Sequence, residues 1–171
     1  MKLPRRNFLH LAASAAALPA VSRIAWAQAY PARPVRIIVG FPPGGPSDIL
    51  ARLIGQRLSE RLGQPFIIEN RPGATGNIAT EAVARAPADG HTLLWVVPGY
   101  GIAAPRGTPP AIVEKLNQAV NAVLADPKLQ TRLAELAGEP MPMTPAEFGK
   151  LVAEETDKWG KVIRAANIKP E

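Results

Sequence analysis

The 171-residue sequence contains no cysteine, which excludes disulfide bonds and thiolate metal sites and leaves the cellular compartment open by that criterion. Its first 27 positions contain no acidic residue but hold four of the 20 basic residues. The remainder carries 16 basic against 14 acidic residues, so the high isoelectric point belongs largely to the N-terminus and does not indicate nucleic-acid binding. No apolar run approaching 18 residues follows residue 30, so no membrane-spanning segment is expected there.

Motifs of nucleophilic and nucleotide chemistry are also missing. After residue 27, serine occurs only at Ser47 and Ser59, outside any GxSxG, and His91 is the only histidine, in a turn that leads into a strand. The glycine pair at Gly44 matches neither GxGxxG nor GxxxxGK[ST]. No cluster of ligand-type residues indicates a metal site. We expect no catalytic residue, metal or cofactor; a small nucleotide-binding α/β enzyme is an alternative that these motifs do not support.

Residues 1–27 have the pattern of an export signal. Arg5-Arg6 precede Phe8-Leu9, a short apolar stretch follows, and Ala25-Trp26-Ala27 places small residues at both positions that determine cleavage. The arginine pair resembles a twin-arginine signal, although ordinary secretory leaders also carry arginines. The pattern predicts a periplasmic protein exported through a Tat-like or Sec signal. The alternative is an amphipathic N-terminal helix of the folded domain.

Strands and helices alternate over residues 35–97. Strands are predicted at 35–41, 65–69 and 92–97, and helices at 47–62 and 77–85. The first strand is an almost unbroken apolar run, which is typical of a strand covered on both faces in a parallel sheet. The first two strands each end in a glycine turn, and right-handed crossovers would make the sheet parallel.

The alternation stops at Pro98-Gly99. A further strand is predicted at 100–104, and two residues are too few for a parallel crossover, which leaves a hairpin or one bent strand. Pro-Gly is a type II turn pair and fits a tight hairpin poorly. The rest is predicted to be helical, near 109–136 with a restart at Pro127, and near 145–164. Trp95 and the apolar face of the last helix, which includes Phe148 and Trp159, are expected in the core.

Several motifs occur in the order found in one family of binding proteins. They are Tyr30-Pro31, Phe41-Pro42-Pro43-Gly44-Gly45 with Asp48, Glu69-Asn70-Arg71-Pro72-Gly73-Ala74 with Gly76-Asn77-Ile78, Ala88-Asp89-Gly90-His91-Thr92-Leu93, and Ala104-Pro105-Arg106-Gly107-Thr108-Pro109. With these motifs, residues 30–171 resemble the periplasmic solute-binding proteins of tripartite tricarboxylate transport, the Bug family. The resemblance covers nearly all of the chain after the leader.

The resemblance implies an α/β fold, a three-layer parallel-sheet lobe of the type II periplasmic binding-protein-like class. Family members have two lobes that close on a carboxylated ligand, and the section that builds most of the second lobe is missing here. The implied organisation is a truncated one: residues 28–97 and 105–171 form the first lobe, around a junction at 98–104. It implies a small carboxylate ligand, weak or no binding, and membrane components of a tripartite tricarboxylate transporter as partners. A non-functional fragment of such a protein is the alternative.

The resemblance also places ligand-binding residues in both glycine turns. They are Pro43, Gly44, Gly45, Ser47 and Asp48 in the first turn, and Gly73, Ala74, Thr75, Gly76 and Asn77 in the second. Backbone N–H groups and the Ser47 hydroxyl would receive a carboxylate at a helix start, while Asp48 would brace the loop. Thr75 and Ala79 stand where the family favours glycine. The alternative is a pair of ordinary turns with Ser47, Asp48 or Asn77 as helix caps.

Overall fold

The computed structural model describes residues 30–97, 100–135 and 139–168. The predicted export signal lies outside these residues, as does the Pro98-Gly99 pair. Within the described part of the chain, no helix is both long enough and apolar enough to cross a membrane.

Four strands and five helices make up the described chain. In order they are β1 (Val35–Val39), α1 (Pro46–Leu62), β2 (Phe66–Asn70), a 3-10 turn (Ala74–Gly76), α2 (Asn77–Ala84), β3 (Thr92–Val96), β4 (Gly101–Ala103), α3 (Pro110–Leu124), α4 (Pro127–Glu135) and α5 (Pro145–Ala165). The alternation of strand and helix up to β3 agrees with the sequence pattern.

The sheet has the order β2-β1-β3-β4. β1 runs parallel to both neighbours, with Ile37 opposite Ile68 on one side and opposite Leu93 on the other. Because β1 is central, alternate side chains enter opposite cores: Ile37 packs toward α1 and α3, while Ile38 packs against α2. This confirms the three-layer, parallel-dominated α/β fold and explains the apolar run in β1.

β3 and β4 form an antiparallel hairpin in which Leu94 pairs with Ala103 and Val96 with Gly101. The expectation that the local sequence fits a hairpin poorly was wrong. β3 ends one residue earlier than predicted and β4 begins one residue later, so the connection spans residues 97–100 rather than two residues. The preference for type I′ and II′ turns applies to two-residue loops, and longer connections accept other turns.

The last helix begins as predicted but does not bury its apolar face. Thr144 and Glu147 form a reciprocal capping box at its start. No residue of α5 is fully buried, and the predicted core residue Trp159 is 50% exposed, whereas Trp95 is buried as expected. A helix of 21 residues is about 30 Å long, and beyond Glu155 no described element covers its apolar stripe.

The first half of α5 packs against β4 through Phe148. Its ring lies so close to β4 that a Cβ added at Gly101 would stand 2.1 Å from the ring atom Cζ. Glycine is therefore required at position 101 unless Phe148 moves. This contact holds the N-terminal half of α5 against the hairpin, while Trp159 farther along is contacted by its own helix neighbours, with Nε1 donating to the Glu155 carboxylate at 2.8 Å.

Candidate functional site

The two predicted glycine turns lie side by side at one edge of the sheet. β1 and β2 are parallel neighbours, so their carboxyl ends meet at the same edge. The two segments approach each other closely where Gly40 follows β1, because a Cβ placed there would lie 2.7 Å from the Cα of Gly76. The absence of a side chain at Gly40 thus lets the two turns meet backbone to backbone.

The first turn presents an uncapped helix start. Gly45 is the N-cap of α1, its backbone is extended, and no described side chain caps the N–H groups of the first helical turn. Pro46 has no N–H, and the first bond of the helix runs from the Ile49 N–H to the Gly45 carbonyl at 3.0 Å. The Ser47 and Asp48 N–H groups precede that bond and have no intrahelical partner. Such a helix start favours a bound anion.

Asp48 is not the helix cap that one alternative interpretation of the turn required, because Gly45 is the N-cap of α1. Its buried carboxylate accepts a hydrogen bond from the Gly44 N–H at 2.9 Å, which lies before the helix. This is the geometry that the predicted bracing role requires. It also means that the Gly44 N–H is already occupied, so a carboxylate ligand could use only the N–H groups that follow it.

The second turn is built differently from the first. Ala74 and Thr75 have φ values of 45° and 55°, in the left-handed region that is unfavourable for residues with a side chain and most of all for a β-branched one. The Gly76 N–H donates to the Gly73 carbonyl and the Asn77 N–H to that of Ala74. Two predicted donors are thus used inside the turn, which leaves those of Gly73, Ala74 and Thr75. Gly76, not Asn77, is the N-cap of α2.

Two residues of this region were not predicted as part of the site. Arg52 is absent from the predicted site residues, and Asn70 occurs only within a motif of the family resemblance, yet both contact Asp48. The i,i+4 spacing of Asp48 and Arg52 was a signal available in the sequence. The contact with Asn70 joins residues 22 positions apart, and no local pattern encodes it.

The remaining polar candidates lie elsewhere or are paired. His91 precedes β3, at the sheet edge opposite the glycine turns, and its Nδ1 lies 2.9 Å from the Asp89 carbonyl oxygen. Arg71 forms a salt bridge with Glu69 at 2.7 Å. Among residues 30–97, 100–135 and 139–168, no group of three or more acidic or histidine side chains could hold a metal ion.

A cavity of about 500 Å³ lies between the β3–β4 hairpin, α3 and α5. Its walls are mostly apolar and include Trp95, Leu116, Phe148 and Leu151. None of the ten predicted ligand-binding residues lines it. The cavity is therefore separate from the glycine turns.

Comparison with known proteins identifies the family. The profile described as "Tripartite tricarboxylate transporter family receptor" matches residues 50–101 and 95–168. A relative from Pseudomonas knackmussii, described as a UPF0065 protein in the clcB-clcD intergenic region, is 30% identical over 138 residues, which cover 74% of this chain and 82% of the relative. The chain belongs to the tripartite tricarboxylate transporter receptor family. This is a family of substrate-binding receptors, not of enzymes.

Other relatives are more similar over shorter stretches. Protein BugT of Bordetella pertussis is 53% identical over 68 residues, which are 40% of this chain and 21% of BugT. The chain spans about a fifth to three tenths of the length of six such relatives.

Solved structures support the fold. The periplasmic binding protein BugD aligns with a TM-score of 0.76 at 18% identity, over 83% of this chain and 100% of that one. The R. palustris protein Rpa4515 with adipate aligns with a TM-score of 0.76 at 22% identity, over the same shares. At these identities the likeness establishes the fold, and it agrees with the predicted periplasmic binding-protein-like class.

Proposed function

We propose that this chain is an extracytoplasmic solute-binding protein for small carboxylates that works with the membrane components of a tripartite tricarboxylate transporter. The observation that carries the proposal is the meeting of two glycine turns at one sheet edge, with an uncapped helix start in the first. Membership in the receptor family supports the same role. Rpa4515, whose structure was determined with adipate, offers a dicarboxylate as the ligand class to test.

The proposed ligand site comprises the N–H groups of Gly45, Ser47 and Asp48 with the Ser47 hydroxyl, faced by the exposed Ala74–Thr75 segment of the second turn. Asp48 carries a negative charge, so its part is to hold the loop rather than to touch the ligand carboxylate. Pro43, Gly44, Gly73, Gly76 and Asn77 shape the two turns, and three of them have their N–H groups occupied within the turns.

The proposed affinity is weak, because we propose that the second lobe, which forms one wall of the cleft in a two-lobed binding protein, is deleted from this chain. The two profile matches overlap at residues 95–101, which supports a junction at 98–104 where the second lobe is deleted. In an open half-site, three charge-assisted hydrogen bonds contribute roughly 1.5 kcal/mol each, against about 4 kcal/mol or more of lost freedom on association. The net free energy is far below the roughly 8 kcal/mol that micromolar binding requires, so the proposed dissociation constants are millimolar or weaker. If the chain binds no carboxylate at all, the alternative of a non-functional fragment applies.

An NMR titration tests the site directly. Protein labelled with ¹⁵N is titrated with succinate, glutamate and citrate, and the proposal predicts saturable shifts of the Gly45, Ser47 and Asp48 amides at millimolar ligand. Ser47→Ala should weaken binding about two- to tenfold through loss of one hydroxyl donor. Thr156→Ala on α5 is the matched control and should bind as the wild type does. Saturable shifts confined to other residues, or none, would refute the site.

Export is tested separately. Residues 1–27 carry the twin-arginine-like and cleavage patterns, and Ala27-Gln28-Ala29 offers a second cut. The proposal therefore predicts that protein recovered from the periplasmic fraction begins at Gln28 or Tyr30. Intact-mass spectrometry of that fraction distinguishes the two cuts. A full-length cytoplasmic species that retains Met1 would contradict the export part while leaving the binding test intact.

A further inference from the structure

One buried carboxylate connects three backbone segments: the first glycine turn, α1 and the end of β2. Asp48 Oδ2 accepts from the Gly44 N–H at 2.9 Å and from Arg52 Nε at 3.0 Å. Its other oxygen, Oδ1, accepts from Asn70 Nδ2 at 2.9 Å and lies 2.9 Å from Arg52 Nη2. The Asp48 side chain is only 5% exposed, so these contacts are largely shielded from water.

Asn70 completes the connection on the other side. Its Nδ2 also donates to the Phe41 carbonyl at 3.1 Å, and its Oδ1 accepts from Arg52 Nη2 at 3.0 Å. Asn70 is the last residue of β2 and Phe41 follows β1, so the amide links the ends of the two strands from which the glycine turns depart. The Asp48–Arg52–Asn70 cluster therefore joins the first turn, α1 and the start of the second turn.

We propose that Arg52 and Asn70 are positioning residues for the carboxylate site. Acting through Asp48, they keep the Gly44 N–H bonded to the Asp48 carboxylate and leave the N–H groups that follow Gly44 available to the ligand. They also neutralise the negative charge of Asp48 next to the site. This inference rests on the proposed function. A cap or helix-dipole role for Asp48 alone does not explain the cluster, since the carboxylate also accepts from Arg52 and from Asn70 at the end of β2.

Charge neutralisation is the part that affects ligand choice. A buried carboxylate next to the helix start would repel an incoming carboxylate unless a cation compensates it. Arg52 supplies a two-pronged contact, the geometry in which arginine pairs most strongly with carboxylate. The Arg52 hydrogen bonds, helped by those from Gly44 and Asn70, hold the pKa of Asp48 at about 2 despite its burial. At the end of β2, Glu69 is itself paired with Arg71 and with Arg36.

The experiment compares Arg52→Gln with the double variant Asp48→Asn/Arg52→Gln and with Arg57→Gln, a control on α1 whose guanidinium pairs with Glu60 at 3.1 Å. Three quantities are measured by NMR: the Gly44 amide proton shift, the midpoint of the Asp48 carboxyl titration followed by ¹³C, and the dissociation constant for succinate. Arg52→Lys, which keeps the charge but not the two-pronged contact, is the second variant should Arg52→Gln unfold.

We expect Arg52→Gln to move the Gly44 amide, to raise the Asp48 midpoint by one pH unit or more, and to weaken succinate binding at least fivefold. The double variant should recover part of that binding, because the repelling charge is gone and the Asn side-chain carbonyl can still accept from Gly44. Arg52→Lys should lie between wild type and Arg52→Gln, and Arg57→Gln should match the wild type.

The outcomes separate the two proposals. If wild type binds no carboxylate but the Gly44 amide and Asp48 titration respond to Arg52→Gln, the proposed function fails and the positioning of the loop stands. If both of these signals are unchanged in Arg52→Gln and Arg52→Lys, the inference is overturned whatever the ligand affinity. Weakened binding that the double variant does not recover would overturn the charge-neutralising part alone.

Discussion

Two regions of the protein differ greatly in burial. One is the parallel sheet with helix α1, and the other is the last described helix, α5. Ile37 of β1 and Leu58 of α1 are completely buried, and α1 alone buries seven residues, whereas α5 is longer and buries none. Both helices have an amphipathic sequence. The difference shows that an apolar stripe establishes which face of a helix can be covered, while coverage itself depends on what the rest of the chain places opposite.

The ion pairs of the first region are also more deeply buried than those of α5. The ion pair of Asp48 and Arg52 includes a carboxylate that is almost fully buried. The pairs on α5, Lys150 with Glu154 and Lys158 with Glu155, have lysine side chains more than half exposed. Exposed pairs contribute little because water and salt screen them. The first glycine turn is therefore fixed by its contacts, and the second half of α5 is held mainly by its own helical hydrogen bonds.

Leu58→Ala should have the largest effect on stability. Leu58 is completely buried between α1 and the sheet, so truncation leaves a cavity, and leucine-to-alanine changes in such positions cost about 2–5 kcal/mol. Urea unfolding at equilibrium measures the change in the free energy of unfolding. Ile49→Ala, at a 42% exposed position on the same helix, is the control and should cost less than 1 kcal/mol. Equal costs for both variants would contradict the difference in packing.

Phe148→Ala should cost less, about 1–3 kcal/mol, because Phe148 is only half-buried where α5 meets β4. Gly101→Ala adds a methyl group that would lie 2.1 Å from the ring, so the ring must leave its place. The two changes remove the same contact. The double variant should therefore cost about as much as either single one, as measured by urea unfolding. Fully additive costs would show that Phe148 and Gly101 act independently.

The sequence predicted the parts of this structure that depend on local rules. The apolar run of β1, the glycine turns that follow β1 and β2, and the capping box at Thr144 each depend on a few neighbouring residues. It did not predict the hairpin, which depends on where the strands end, or the exposure of Trp159, which arises because none of the elements that the structure describes lies opposite it. The contact of Asn70 with Asp48 joins distant positions and became visible only with the fold.

Acidification should weaken the region around the first turn. The pKa of Asp48 is lowered to about 2, first by the Arg52 hydrogen bond, so its contribution to stability is present above the unfolded value near 4 and is lost as the pH falls through about 2. Since Arg52 is half-exposed, we expect about 1–2 kcal/mol.

The measurement is the difference in unfolding free energy between wild type and Asp48→Asn, by urea titration from pH 6 down to pH 2. The advantage of the wild type should shrink over the lower part of this range. Asp157→Asn, which removes a carboxylate from α5, is the control and should follow the wild type throughout. A wild-type advantage that grows on acidification would show that the sign is wrong.

Trp159→Ala should have the smallest effect, within about 0.5 kcal/mol of zero, although it removes the largest side chain of α5. The indole is 50% exposed, and its described polar contacts are the Glu155 carboxylate and the Lys158 ammonium, both on its own helix. Circular dichroism at 222 nm should follow the unfolding, since the substitution removes a fluorescent reporter. A cost of 2 kcal/mol or more would mean that something covers the apolar stripe in solution. Light scattering over a range of protein concentrations would then show whether that cover is a second copy of the chain, in which case the cost would rise with concentration.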